Sequence, residues 1–218
     1  MIRLVDVTKH YFSEGKRTVV ASSMSIEFPA GRAVGLLGRN GAGKSSLLRL
    51  IAGTMQPTSG HIERRGSISW PVGLASGFHP DLSGAQNTRF IARIYGVDTD
   101  ALVEFAREVS ELGDHFFLPF RTYSSGMRAR LGFAVSMGID FDTYLIDEVT
   151  SVGDQNFRDK SEEMLLARLA GRGAIVVSHN LGFLTRICHA GVVLEGGRAT
   201  WFDSIADAIA QHRGNMAA

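Results

Sequence analysis

The sequence contains very little cysteine: Cys188 is the only one among 218 residues. A single thiol cannot form an internal disulfide, so the chain fits a reducing compartment. The seven histidines form neither an HExxH nor a CxxC-plus-His pattern, which argues against a zinc site. The formal net charge is only +1, so the sequence offers no broad electrostatic attraction for nucleic acid, and we expect no nucleic-acid partner.

Long apolar runs are also absent. The first residues, MIRLVDVTKHYF, mix charged and apolar side chains and lack the apolar core of a signal peptide. No apolar run approaches the roughly 18 to 20 residues that span a bilayer. We therefore expect a chain that is soluble as a subunit, and a partner could still hold it at a membrane. Its length and its 44% hydrophobic content suit one domain, residues 1–218, with a sizeable core.

Strand-like and helix-like patterns alternate near both ends of the chain. Residues 2–7, 18–28 and 33–38 have the composition of strands, and the last of them is apolar throughout, as in a strand buried on both faces. The alternation returns in the last third of the chain, which predicts an α/β fold with a mainly parallel sheet. The middle of the chain, about 75–138, predicts an inserted α-helical subdomain.

The segment GRNGAGKS, residues 38–45, fits the phosphate-loop pattern G-x-x-x-x-G-K-[S/T] between an apolar strand and a helix start. Its glycines let the backbone wrap closely with amides pointing inward, and the helix N-terminus favours phosphate. Lys44 can reach the β- and γ-phosphates of a bound nucleotide, and the Ser45 hydroxyl can bind Mg²⁺. The alternative, a glycine-rich turn with a solvated lysine, does not account for this context. The loop residues expected to hold ATP are Gly38, Arg39, Asn40, Gly41, Ala42, Gly43, Lys44, Ser45 and Ser46.

Two further apolar strands end in polar side chains that suit nucleotide hydrolysis. Asp147 and Glu148 end TYLIDEV, and His179 follows AIVVS. An acid at such a strand end assists Mg²⁺ binding, which suits Asp147, and Glu148 is then placed to activate the attacking water. His179 can contact the γ-phosphate or hold Glu148, because ligands bind at the carboxyl edge of a parallel sheet. The alternatives are a surface acidic pair and a structural histidine.

The stretch YSSGM, residues 123–127, begins another helix, for which Ser124 is a good N-cap. The order of phosphate loop, helical insert, Ser-x-Gly helix start, acidic strand and strand-end histidine resembles the ATP-binding subunit of ABC transporters over nearly the whole chain. YSSGM matches the signature motif of that family, LSGGQ, with Ser124 and Gly126 kept. It departs from the motif at Tyr123, Ser125 and Met127.

The resemblance implies a P-loop NTPase core of the ABC type, with an N-terminal antiparallel β subdomain and the helical insert. It also implies a homodimer, because in this family ATP lies between the phosphate loop of one subunit and the signature of the other. Tyr11 stands where an aromatic ring stacks on adenine, although a core aromatic is the alternative. Asp154, in SVGD (151–154), matches the D-loop at the dimer seam. The signature residues expected to meet ATP in trans are Ser124, Ser125, Gly126 and Met127.

One family element does not match. The region where the Q-loop glutamine is expected, residues 67–87, has no glutamine in the usual place, and Gln86 comes too late. His79 is the nearest polar candidate, with an ordinary loop histidine as the alternative.

Several stretches are similar to one subgroup, the exporters of long surface polysaccharides. SWPVGL and YSSGMRARLGF are most similar to the capsular polysaccharide type, and only residues 213–218 follow His212, which leaves no room for the carbohydrate-binding domain of some O-antigen exporters. The resemblance implies a peripheral ATPase on the cytoplasmic face of the bacterial inner membrane, with a separate transmembrane permease that contacts the polysaccharide. O-antigen and teichoic-acid exporters and a soluble, non-transport ABC ATPase are the alternatives. A P-loop GTPase or kinase would lack the Ser-x-Gly helix start, and Glu148 and His179 argue against a protein that binds ATP without hydrolysing it.

Overall fold

The computed structural model describes residues 1–13, 16–72, 77–147 and 155–217. The chain forms two compact units. The first contains residues 1–71, 141–148 and 169–218, and the second contains residues 72–140 and 149–168.

The first unit is built on a six-stranded sheet, with the strand order β5-β6-β7-β3-β8-β9. Neighbouring strands β6, β7, β3 and β8 run parallel, and β9 joins antiparallel to β8. The carboxyl ends of the four parallel strands therefore share one edge, and the predicted α/β class with a mainly parallel sheet is confirmed. The strands are β3 (Ala33–Leu37), β5 (Ile68–Val72), β6 (Thr143–Asp147), β7 (Gly173–Val177), β8 (Ala190–Glu195) and β9 (Arg198–Phe202).

A three-stranded antiparallel sheet, in the order β2-β1-β4, belongs to the same unit and confirms the predicted N-terminal β element. Its strands are β1 (Ile2–Ser13), β2 (Lys16–Phe28) and β4 (Ser59–Arg64). Helix α1 (Lys44–Ala52) is in the core between apolar residues of both sheets. The buried side chains of α1, which are fully covered, are Leu47, Leu48, Leu50 and Ile51. Burying four large aliphatic side chains holds the start of this helix in place.

Two further helices complete the first unit. They are α6 (Leu181–Ile187) and α7 (Ile205–Ala217). Asn180 caps α6 by accepting a hydrogen bond from the Phe183 amide at 3.0 Å. No helix within the described residues is both long enough and apolar enough to cross a membrane.

The second unit is helical. Its helices are α2 (Gly84–Tyr95), α3 (Thr99–Ser110), α4 (Ser125–Gly138) and α5 (Gln155–Leu169), with 3₁₀ turns at Gly113–Phe117 and Phe120–Thr122. Polar side chains cap the first three of these helices: Ser83, Asp98 and Ser124. Gln86, which stands too late for a Q-loop, completes the capping box of α2 because its Oε1 accepts from the Ser83 amide at 2.9 Å.

Candidate functional site

The phosphate loop leads from the carboxyl end of β3 into α1, and its backbone runs very close to neighbouring segments. A Cβ atom at Gly38 would lie 2.5 Å from the Leu194 carbonyl oxygen, and one at Gly43 would lie 2.8 Å from Val20 Cγ1. Gly43 also has a φ of 99°, which side chains disfavour. These two positions therefore require glycine for the loop to pass at this distance.

Gly43 is the N-cap of α1 and has no side chain with which to cap the helix. The amides of the first turn have no partner within their own helix, and the helix dipole adds positive potential at this end. Such a helix start is suited to bind an anion, phosphate above all.

Lys44 lies over the loop. Its Nζ donates to the Gly38 carbonyl at 2.8 Å and to the Arg39 carbonyl at 3.1 Å, and the Ala42 amide donates to the Arg39 carbonyl at 3.0 Å. These bonds close the loop around the lysine. The ammonium group is thereby held at the level of the uncapped helix start, where it adds a full positive charge.

A pocket of about 400 Å³ opens beside the loop, a volume within the range of small-molecule sites. Seven of the predicted ATP-binding residues line it together: Tyr11, Asn40, Gly41, Gly43, Lys44, Ser45 and Ser46. Thr18, Val20 and Val177 complete the lining. The other predicted loop residues, Gly38, Arg39 and Ala42, belong to the same turn without lining this pocket.

Tyr11 is held at the rim of the pocket. Its hydroxyl donates to Met55 Sδ at 2.7 Å, and the Lys9 ammonium lies 5.2 Å from the centre of its ring. The side chain is 36% exposed, so one part of the ring faces outward. Thr18, which the sequence analysis did not predict as a site residue, lies opposite Tyr11 in the β1–β2 pair. This pairing brings Thr18 to the pocket.

The strand ends place further polar groups near this edge. Asp147 is the last residue of β6 and lies opposite Val177, the last residue of β7, which lines the pocket. His179 follows two residues after Val177 and is exposed. The predicted base Glu148 and the predicted D-loop residue Asp154 lie outside the described residues, so both stay predictions.

The signature segment begins α4 in the second unit. Ser124 is the N-cap, and its Oγ accepts from the Met127 amide at 3.2 Å. Ser124 and Ser125 are exposed, Met127 is half-buried, and a Cβ at Gly126 would meet only Ser124 Oγ, at 3.9 Å. The helix start therefore presents small side chains to the exterior, as an anion-binding helix start requires.

Tyr123 has a structural role in this motif. It is buried, its hydroxyl donates to the His115 carbonyl at 2.7 Å, and burial raises the pKa of the phenol. A Cβ at Gly84 would lie 2.5 Å from this hydroxyl. The departure from the usual leucine thus anchors the signature segment to the start of α2.

His79 is an exposed loop residue of the second unit. Its amide donates to Asn87 Oδ1 at 2.7 Å, and its Nδ1 accepts from the Asp81 amide at 3.3 Å. These bonds order the turn before α2. Its predicted part in a Q-loop stays a prediction.

The motif GRNGAGKS leads from the central parallel strand β3 into the uncapped helix α1. This motif in this place is typical of a P-loop NTPase. The chain belongs to the ABC transporter family, whose model matches residues 21–151. The resemblance to ATP-binding subunits of this family is confirmed, and the chain is an ATP hydrolase of the ABC type.

The chain is similar to three proteins over most of their length. The chain is 45% identical to the ATP-binding protein BexA of Haemophilus influenzae over 94% of each chain. It is 45% identical to the capsule polysaccharide export ATP-binding protein CtrD of Neisseria meningitidis serogroup B, over 94% of this chain and 95% of that protein. It is 44% identical to the polysialic acid transport ATP-binding protein KpsT of Escherichia coli, over 89% of this chain and 88% of that protein.

A solved structure has the same fold. The ATP-binding cassette MJ0796, described as a dimer in a post-hydrolysis state with ADP and Pi, superposes with a TM-score of 0.79 over 94% of this chain and 99% of that chain. Because the sequences are 20% identical, this similarity supports the fold alone.

Proposed function

We propose that this chain is the ATP-hydrolysing subunit of an exporter that moves capsular polysaccharide across the bacterial inner membrane. The ATP site is supported by the pocket of about 400 Å³ that Tyr11, the phosphate loop and the start of α1 line together. The capsular substrate is supported by relatives named for capsule and polysialic acid export, which match over nearly the whole chain.

The loop residues bind and orient ATP. Tyr11 stacks on adenine, the backbone amides of the glycine loop surround the phosphates, and Lys44 neutralises charge on the β- and γ-phosphates. His179 donates a hydrogen bond to the γ-phosphate. Glu148 takes the proton of the attacking water.

Ser45 and Asp147 are the residues that would hold Mg²⁺. Their hydroxyl and carboxylate oxygens are the ligand types that this ion takes together with phosphate and water, so the donor set fits. When bound, Mg²⁺ supplies charge neutralisation at the β- and γ-phosphates.

The signature completes the site of a second copy. Ser124 and Ser125 are exposed at the start of α4, and Gly126 is half-buried. The start of α4 in one copy can therefore meet the γ-phosphate held by the other copy. Two ATP molecules then lie between the two copies and hold them together as a homodimer, with Asp154 at the interface. ATP favours the closed dimer by the difference between its affinities for the closed and the open form.

The second unit offers an apolar surface to a membrane partner. Phe90 and Ile94, one helical turn apart on α2, are 50% and 59% exposed. Phe117, the last residue of the adjoining 3₁₀ turn, and Leu118, which follows it, are 56% and 45% exposed. Exposed large side chains of this kind favour an interaction site. They support a separate transmembrane permease as the partner. In this proposal the permease contacts the polysaccharide and this chain lies on the cytoplasmic face of the membrane.

The proposal is tested in the parent cell with Glu148→Gln. Hydrolysis should stop, and long-chain polysaccharide should disappear from the surface and accumulate inside, where sugar analysis distinguishes capsule from O-antigen or teichoic acid. Glu104→Gln, the same chemical change at an exposed position of α3, is the matched control. Normal surface polymer in cells that contain the inactive protein would refute the transport assignment, and an active Glu148→Gln ATPase would refute the assigned base.

A further inference from the structure

The aromatic ring of Tyr11 is held at two places. Its hydroxyl donates to Met55 Sδ at 2.7 Å, and the Lys9 ammonium lies over the ring, 5.2 Å from its centre. Lys9 and Tyr11 are two residues apart on β1, so their side chains leave the strand on the same face. The ammonium is itself fixed, because it donates to the Gln56 carbonyl at 2.9 Å. The ring therefore has one contact at its hydroxyl and another over one of its faces.

Met55 and Gln56 belong to the turn that follows α1. This turn is anchored to the helix, because the Met55 amide donates to the Arg49 carbonyl at 3.2 Å. The same helix begins at Lys44, in the phosphate loop, and is nine residues long. One short helix therefore joins the loop that is proposed to hold the phosphates to the turn that holds Tyr11.

Tyr11 needs such support, because it is 36% exposed at the rim of the pocket. A free side chain loses rotamer freedom when a ligand packs on it, and this loss weakens binding. A ring that is already fixed avoids the loss. The ammonium covers one face of the ring through a cation–π contact, which leaves the opposite face for a base.

We propose that Lys9 is a positioning residue of the nucleotide site, which acts through Tyr11 by holding its ring in place for stacking on adenine. The inference rests on the proposed contact between Tyr11 and adenine. Lys9 itself does not line the pocket that the described residues form, so it reaches the nucleotide through the ring. It should therefore affect the recognition of the base and leave the recognition of the phosphates unchanged.

The first test compares Lys9→Met, which removes the charge, with Lys9→Arg, which keeps a cation that can lie over the ring. Dissociation constants are measured for the Mg²⁺ complexes of AMP-PNP and of inorganic tripolyphosphate, which has phosphates but no base. Lys9→Met should weaken AMP-PNP binding about two- to fivefold, the size of one cation–π contact, and should change tripolyphosphate binding less than about 1.5-fold. Lys9→Arg should bind both ligands as wild type does. KM for ATP should rise in Lys9→Met with kcat unchanged.

Two further variants serve as controls for the first test. Arg3→Met removes an exposed cation from the same strand and should bind both ligands as wild type does. Lys9→Gln, a second neutral variant, should show the same loss as Lys9→Met, so the test does not depend on the stability of one protein. Melting without nucleotide verifies that each variant folds.

A double-mutant cycle tests whether Lys9 acts through Tyr11. In a Tyr11→Leu background, Lys9→Met should change the affinity for AMP-PNP less than about 1.5-fold, because the ring through which it acts has been removed. A loss that persists in this background overturns the inference. So does a Lys9→Met variant that weakens both ligands equally, since the lysine would then act by its charge on the phosphates, or one that binds AMP-PNP normally.

The Tyr11→Leu variant, measured alone, keeps the two proposals apart. If it binds AMP-PNP as wild type does, the proposed stacking of Tyr11 on adenine fails, and the role of Lys9 fails with it. If Tyr11→Leu weakens AMP-PNP binding and Lys9→Met does not, the stacking stands and only the role of Lys9 is overturned.

Discussion

At the scale of single residues, the phosphate loop shows two separate reasons for glycine. Gly41 has a φ of 79° with nothing within 4 Å of a built Cβ, so conformation alone disfavours a side chain there. Gly43 combines a φ of 99° with the approach of Val20 Cγ1 to 2.8 Å. Val20 is β-branched and has few rotamers into which to move. At Gly41 a side chain is disfavoured by backbone strain alone, whereas at Gly43 it is also excluded by contact with Val20.

This difference predicts unequal effects of the same substitution. Gly43→Ala should weaken binding of Mg²⁺–ATP at least about tenfold, because the displaced backbone moves the amides that meet phosphate. Gly41→Ala carries only the strain of its φ, about 1 kcal/mol, which is about fivefold or less in affinity. Nucleotide titration of both variants measures the ratio. Equal losses would show that steric contact with Val20 does not shape the loop.

A motif with fixed spacing lets individual residues be predicted from the sequence, and the role of these residues at ATP stays a prediction. The loop from Gly38 to Ser46 has such spacing, and seven predicted residues, Tyr11 among them, line one pocket. Thr18 belongs to no motif. It reaches the pocket only through the register of the β1–β2 pair. Register of this kind is not visible as a local pattern.

At the scale of elements, the close approach of helices α3 and α4 depends on a glycine at the end of α4. A Cβ at Gly138 would lie 2.4 Å from Leu102 Cδ1 and 2.9 Å from Phe105 Cδ1, both on α3. Gly214, in α7, is also helical, but a Cβ there meets nothing within 4 Å. The two glycines thus have the same secondary structure and opposite packing environments.

Alanine should therefore have opposite effects at these two positions. Gly138→Ala forces α3 and α4 apart and should lower the free energy of unfolding by about 1 to 3 kcal/mol. Gly214→Ala should raise it by up to about 1 kcal/mol, because alanine restricts the unfolded chain and favours helix. Urea denaturation at equilibrium measures both changes. A stabilised Gly138→Ala protein would contradict this account of the α3–α4 contact.

Element prediction failed mainly at the edges of sheets. β4 reads SGHIER and is polar and largely exposed, so it has no apolar signal, although it pairs with β1. β5 contains Pro71, which a strand accommodates at a sheet edge, where β5 lies. The buried strands β3 and β7 are apolar throughout and were predicted from that property. A strand buried on both faces can be recognised in the sequence because its residues are apolar. An edge strand has no such pattern, because its place depends on pairing with a neighbouring strand.

At the scale of the whole molecule, the proposed homodimer requires the α1 start of one copy and the α4 start of the other copy to meet one nucleotide. The start of α1 has no side-chain cap, and the start of α4 is capped by an exposed serine. A serine hydroxyl is neutral, so it can cap the helix without repelling a phosphate that lies nearby. An aspartate would cap the helix equally well but would repel the γ-phosphate of the opposite copy.

Ser124→Asp should accordingly fold normally and fail to dimerise with ATP. In a Glu148→Gln background that keeps ATP bound, the unaltered signature should give a species of twice 23.6 kDa on adding Mg²⁺–ATP, and the aspartate variant should stay at 23.6 kDa. Light scattering coupled to size exclusion measures both masses. The reverse exchange at another exposed cap of the same unit, Asp98→Ser on α3, should leave the ATP-dependent dimer intact. If Ser124→Asp dimerises with ATP like its parent, the signature of one copy does not meet the γ-phosphate of the other, and α4 is then only a capped helix.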